Sequence, residues 1–316
     1  MAPGWCGQAL TTEGTGDITP LTFRGSGYDG ARAWCEAEAE TAIHIARHAH
    51  SHGVPDAAWM LPTLFLPYFH ITKNWRIWLS AASAGLTHAR RIRSTEGEAW
   101  CLHSLGWAQH ELGHIDDAII NLGQALRLRD NLGDDRARGL TLFSLGAARL
   151  SRGDSDGARR CIDQADAIFT GLGFTFGLAF TRSALAHFHQ AEGDPAAARR
   201  AASDALDFAR PIPSPPLLSR THHQYGLMLL SQHQPRAALD HLDTALTLRR
   251  GSRERWGEAE TLIARAETLT ALGQPTAARV NYREAANILA ELDDPRVTDV
   301  QARIAALSTQ PQHDPL

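Results

Sequence analysis

An all-α, right-handed solenoid of antiparallel helix pairs is the fold that this 316-residue sequence predicts, and three observations carry it. Five consecutive segments, 95–134, 135–174, 175–214, 215–254 and 255–294, stack with a period of 40 residues and no insertion or deletion. Gly recurs at Gly113, Gly153, Gly193 and Gly273, with His233 in the remaining slot. Ala recurs at Ala118, Ala158, Ala198, Ala238 and Ala278, and again at Ala125, Ala165, Ala205, Ala245 and Ala285. A strict period of this length belongs to stacked repeats, in which each unit buries its apolar face against its neighbours.

Residues 1–30, rich in Gly and Thr and without periodicity, are expected to be extended or disordered. A helical stretch follows over 31–52, with Ala33, Trp34, Ala37, Ile43, Ile45 and Ala46 at apolar positions. Residues 55–94 form a degenerate unit, in which Trp78 and Gly85-Leu86 fall 40 before Ala118 and Ala125-Leu126. In 95–134, helix A runs from about Glu96 to Leu112 and ends at Gly113, a residue that tolerates a left-handed cap. Helix B runs from about Asp116 to Leu132, with Gly133 as its cap and Asp134 as the next N-cap. Pro195, Pro235 and Pro275 fall in the first turn of helix B, where a missing N–H costs nothing. Bulky–small pairs at Leu105-Gly106, Leu145-Gly146, Leu185-Ala186 and Tyr225-Gly226 place a small residue where helix A approaches helix B. Helix B of the third regular unit must stop near Ala209, ahead of Pro211-Ile212-Pro213-Ser214-Pro215-Pro216, which is either a stiff surface turn or a hinge. A capping helix over 295–307 and a disordered tail over 308–316 end the chain. Residues 31–307 therefore make one superhelical domain with a continuous core.

Composition narrows the function classes. A net charge of −4 gives no footprint for nucleic acid or an acidic membrane, both of which need clustered basic charge. No apolar run has membrane-spanning length, and the N-terminus lacks a basic region followed by an apolar one, so a cytoplasmic protein is expected. Cys6, Cys35, Cys101 and Cys161 show no CxxC spacing and are expected to be reduced, packed thiols. Lys73 is the lone lysine and follows Thr72 rather than Gly, so the chain has no P-loop.

Counting Gly106 as the first small residue of a motif, Ala118 lies 12 further on and Ala125 another 7, and both spacings hold in all five units. This pattern resembles the tetratricopeptide repeat, with 40 residues per unit where that family has about 34. The long unit, Trp75-Arg76-Ile77-Trp78-Leu79 and the start Ala33-Trp34-Cys35-Glu36-Ala37-Glu38 resemble the C-terminal repeat domain of NB-ARC-type transcriptional regulators of high-GC bacteria, from about Ile18 to Leu307. Their DNA-binding domain, ATPase and winged helix have no counterpart in this sequence, so the resemblance implies a sensor or partner-binding part.

In tetratricopeptide solenoids helix A lines the concave groove. On that analogy the ligand-binding candidates are Trp100, His103, Trp107 and His110, then Phe143, then Phe180 and His187, then Arg220 and His223. Their aromatic rings either fill contacts between neighbouring units or present an apolar wall of several hundred square ångströms, about the size that marks a ligand site. Arg220 is suited to hold a carboxylate bidentately, which suggests an apolar ligand with an anionic group between units 95–134 and 215–254. His44, His48 and His52 share a helix face, as do His110 and His114, but a zinc site wants three or four ligands, usually with a carboxylate or thiolate, no HExxH occurs, and no metal site is expected. No nucleophile–base–orienter arrangement or cofactor motif is recognisable, so no catalytic residue or cofactor is assigned. The function expected is a non-catalytic, regulatory module binding a peptide, a protein segment or an apolar small molecule. A biosynthetic enzyme using the same groove is the competing class, and a scaffold that homodimerises is a third.

Overall fold

The computed structural model describes residues 27–308, and among these every regular element is a helix. The extended segment expected over residues 1–30 and the tail expected over 308–316 therefore fall mostly outside the described residues. Residues 27–30 already belong to α1 (Gly27–His48), where Asp29 complements the positive helix N-terminus. A 3₁₀ turn over Ala49–His52 follows. The degenerate unit is split into α2 (Ala57–Leu64), α3 (Leu66–Thr72) and α4 (Trp75–Arg91). Its first helix breaks because Pro62 lies inside α2 and a second proline opens α3.

The regular units are α5 (Thr95–Glu111) with α6 (Ile115–Leu132), α7 (Asp135–Ser151) with α8 (Ser155–Leu172), α9 (Thr175–Ala191) with α10 (Pro195–Ala209), α11 (Pro215–Ser231) with α12 (Pro235–Gly251), and α13 (Arg255–Ala271) with α14 (Pro275–Glu291). The capping helix is α15 (Val297–Ser308). Prolines open α10, α12 and α14 as expected. Ser94, Asp134, Asp154 and Asp194 each accept the N–H three residues on, satisfying a donor the helix leaves open.

The 40-residue period proves to be two halves of equal length. Left-handed residues recur at Gly53, Lys73, Arg93, Gly113, Gly133, Gly153, Gly173 and Gly193, and again at His233, Arg253, Gly273 and Asp293, on a spacing of 20. Each helix of the regular units except α10 is thus followed by one left-handed residue that turns the chain, and after α10 Pro213 occupies the slot, where that conformation is forbidden. A left-handed non-glycine residue costs roughly 1–2 kcal/mol. His233 is exposed and at φ 57°, so His233→Gly is expected to raise stability by roughly 1 kcal/mol in urea unfolding.

The contacts gather the chain into two compact units, residues 27–185 with 211–214, and residues 186–210 with 215–308. In the first, a Cβ on Gly106 would lie 2.6 Å from Leu122 Cγ and 3.1 Å from the Ala118 carbonyl, and Gly146 repeats this against Ile162 and Ala158. In the second, Gly226 meets Leu242 and Ala238 in the same way. The small residues are where the paired helices touch. Successive repeats are joined by a second contact, in which Phe169 is fully buried between Gly139 and Gly177, each with space only because it has no Cβ. Leu246, Leu262, Tyr282 and Leu289 fill the second core, closed by Val300 of α15.

Candidate functional site

In the first unit, α5 carries Trp100, His103, Trp107 and His110, α7 carries Phe143 and α9 carries Phe180. Phe143 and Phe180 meet edge-on at 5.4 Å, and Phe176 adds a ring 5.2 Å from Phe180. His103 stands edge-on between Trp100 and Trp107 at 6.0 and 5.7 Å. Trp107 donates its indole N–H to Glu111 Oε1, whose other oxygen pairs with Lys73 at 3.0 Å.

These rings do not form an open wall. Trp100, Trp107, Phe143 and Phe180 are only 3, 5, 8 and 9% exposed, and His103 is buried with them. Helices A of adjoining repeats lie side by side, so their inward positions turn into the seam between them. The expectation of an accessible aromatic surface gives way to packing at these five positions. His110 keeps a partly accessible ring, with Nε2 3.0 Å from Ser151 Oγ.

The second unit is different in character. His187 and Arg220 are partly accessible, while His223 is buried. His187 Nε2 lies 2.7 Å from Gln224 Oε1, and Gln232 Nε2 donates to Gln190 Oε1 at 2.7 Å, so polar side chains link α9 to α11 and the turn after it. This strip of imidazole, amide and guanidinium groups is an accessible part of the A-helix face in the second unit.

A buried network recurs three repeats apart, which the sequence reading missed. His103 Nδ1 lies 3.2 Å from Thr141 Oγ1, and His223 Nδ1 lies 3.3 Å from Thr261 Oγ1. Thr141 donates to the Ala137 carbonyl, so its oxygen accepts from His103. Thr261 also accepts from Arg249 Nη1 at 2.8 Å. Arg129 and Arg249 also reach the carbonyls of Ala137 and Gly257. Burial, and secondarily the nearby cations Arg129 and Arg249, hold both histidines well below the usual imidazole range. The sequence did hold a signal. Arg129 and Arg249 stand in the slot that Phe169, Ala209 and Leu289 fill elsewhere, an arginine where the pattern demands core.

Several of the other described histidines have local partners, and the described thiols are buried. His48 and His52 direct Nδ1 to the carbonyls of His44 and His48 at 2.9 and 3.0 Å. His222 and His241 approach Nδ1 to Nδ1 at 3.1 Å, and burial pushes the first down to about 4. Cys35 and Cys101 are buried thiols raised to about 11 and 12, and Cys161 is buried too, while Cys6 lies outside the described residues. Among the described residues no helix is long and apolar enough to cross a membrane, and no group of three or more His, Cys, Asp or Glu side chains is arranged to hold a metal ion.

Two tetratricopeptide-repeat family models match the chain, at residues 177–251 and 99–119. No curated protein matches. Solved structures do. One is a signal-transduction ATPase with numerous domains and a tetratricopeptide repeat sensor from Pyrococcus horikoshii, with TM-score 0.64, 14% identity, and 90% of this chain covering 43% of that one. A second is a Rap protein complexed with competence and sporulation factor, with TM-score 0.61, 17% identity and coverage of 89% and 75%. A third is NprR in complex with its cognate peptide NprX, with TM-score 0.59, 13% identity and coverage of 88% and 83%. At such identities the likeness is one of fold. With its helix pairs, their small-residue contacts and these matches, the chain is an all-α helical-repeat solenoid that matches tetratricopeptide-repeat models over residues 99–119 and 177–251.

Proposed function

We propose that this chain is a non-catalytic module that binds a peptide or protein segment through the accessible strip of its A helices, in a regulatory setting. The observation that carries the reading is the chemistry of that strip in the second unit. His187, Gln190, Arg220, Gln224 and Gln232 are all partly accessible. Amide side chains both donate and accept, so they match the alternating N–H and C=O groups of an extended backbone. The sealed aromatic rings favour such a ligand over an apolar small molecule, which would need their faces. The solved Rap and NprR structures were obtained with a peptide or factor bound, and the repeat sensor of the Pyrococcus ATPase belongs to a signalling protein. Together with the resemblance to the repeat domains of NB-ARC regulators, they support the regulatory setting.

The test is a selection of displayed random peptides on the purified chain, followed by calorimetry with the enriched sequence. One-to-one binding with a Kd of about 1 μM or tighter, a free energy near −8 kcal/mol, is expected. A selection that enriches no sequence, repeated with longer displayed segments, contradicts the proposal.

A further inference from the structure

A cavity of about 590 Å³ opens where the first regular repeat meets the second, lined wholly by residues of the first unit. Two departures from the repeat pattern create it. One repeat further on, the same junction is plugged by Phe169 and Phe174, packed edge-on at 5.3 Å. Here those slots hold Arg129 and Asp134. The Arg129 guanidinium lies 4.2 Å over the Trp100 ring and bonds the Ala137 carbonyl, while Asp134 turns back to accept the Ala137 N–H at 3.0 Å. Neither fills the space a phenylalanine takes. Three repeats on, the junction again has an arginine, Arg249, but there Glu260 stands 3.6 Å away, at the repeat position that Leu140 holds here.

The lining combines two chemistries. Trp100 and Ala99 give it an apolar side, and Leu132 and Leu172 stand at it 40% and 48% exposed, 40 residues apart in the same repeat position. Against them are the carboxylates of Glu96, Asp134 and Asp135. Of the two cations, Arg129 is buried against Trp100, and Arg136 lies over the Phe174 ring at 4.9 Å, leaving three negative charges against two positive ones. Burial, and then the Asp134 charge, raise the Glu96 carboxyl above its usual range, with Arg129 acting in the opposite sense. The volume falls within the ~300–1,000 Å³ typical of ligand pockets.

We infer that this cavity receives a basic side chain of a bound peptide, an arginine with its aliphatic stem against the exposed Leu132 and Leu172, beside the buried edge of Trp100, and its guanidinium among the carboxylates of Glu96, Asp134 and Asp135. A long apolar stem ending in a planar cation suits both halves of the lining, and guanidinium pairs with carboxylates in bidentate geometry. The inference rests on the peptide-binding reading but places the contact outside the polar strip of the second unit.

The test uses the full chain and three blocked pentapeptides, acetyl-Gly-Leu-X-Leu-Gly-amide, where X is arginine, citrulline or glutamate. Citrulline keeps the shape and removes the charge. Binding is followed by the indole N–H resonance of Trp100, identified by its loss in Trp100→Phe. The arginine peptide should shift that resonance, bind at least about tenfold more tightly than the citrulline peptide, and outcompete the glutamate peptide further. The pair Glu96→Gln with Asp135→Asn, neither of which caps a helix, should reduce the arginine peptide to the citrulline level with an unchanged thermal melt. Equal affinity of the arginine and citrulline peptides overturns the inference, as does preference for glutamate. Arginine-peptide binding that leaves Trp100 unmoved also overturns it while the peptide-binding reading stands. If none of the three binds, the inference falls, and the displayed-peptide selection separately decides the wider reading.

Discussion

Gly106→Leu is expected to lower stability by about 3 kcal/mol, the upper end of the usual overpacking range. A Cβ at this position would lie 2.6 Å from Leu122 Cγ and 3.1 Å from the Ala118 carbonyl, and a backbone oxygen cannot swing aside as a side chain can. The new side chain must therefore push α5 from α6, and that separation disturbs the seam with the next repeat as well. Gly123 is the control, because the nearest atom to its added Cβ is Arg127 Nη1 at 3.8 Å. Gly123→Ala should stabilise the chain by roughly 0.5–1 kcal/mol, since glycine is the poorer helix former. Urea unfolding of both variants checks the pair. An unchanged midpoint for Gly106→Leu would show that the A–B contact is not where the small residues put it.

Acidification is expected to destabilise the chain steeply below about pH 6.5. His103 and His223 are both buried, and both are held well below the ordinary imidazole range by burial and by the adjacent arginines. The unfolded chain takes up protons near the model-peptide value of about 6.5, whereas the folded chain resists until far lower pH. Stability from these histidines is thus fully present above that value and lost as pH falls through it. Each can contribute a slope of up to about 1.4 kcal/mol per pH unit, so the two together approach twice that. Thermal melts from pH 7.5 to 5 read this directly, and the double variant His103→Gln with His223→Gln should make the profile shallower, leaving the share from His222, which burial also lowers. A wild-type profile flat over that interval would mean the rings are not buried neutral.

Much of the architecture was legible because its determinants are local. Gly113, Pro195 and Asp134 act on backbone angles or on a single N–H, so they announce helix ends by residue type alone. The equal halves of the repeat were hidden because Lys73, Arg93, His233, Arg253 and Asp293 adopt the left-handed conformation without being glycine. The site was less legible. Helical spacing placed Trp100, Trp107, Phe143 and Phe180 on one face, yet their exposure depends on how near the next A helix comes, which no single helix encodes. Gln224 and Gln232 of the polar strip went unnoticed because amides at helical spacing look like an ordinary solvated surface. Arg129 and Arg249 went unnoticed for the opposite reason, since they are charged and yet occupy a repeat slot that is core.

The central claim is that the accessible A-helix strip, rather than the B helices, holds a peptide. The most direct measurement is the calorimetric Kd of the selected peptide on four chains: wild type, His187→Ala, Arg220→Ala and Arg236→Ala. The first two substitutions remove partly accessible groups of the strip, and Arg236 is an exposed residue of α12. The account predicts that His187→Ala and Arg220→Ala each weaken binding by roughly tenfold, about 1.4 kcal/mol, while Arg236→Ala leaves it within twofold. Equal losses in all three variants, or a loss confined to Arg236→Ala, would contradict it.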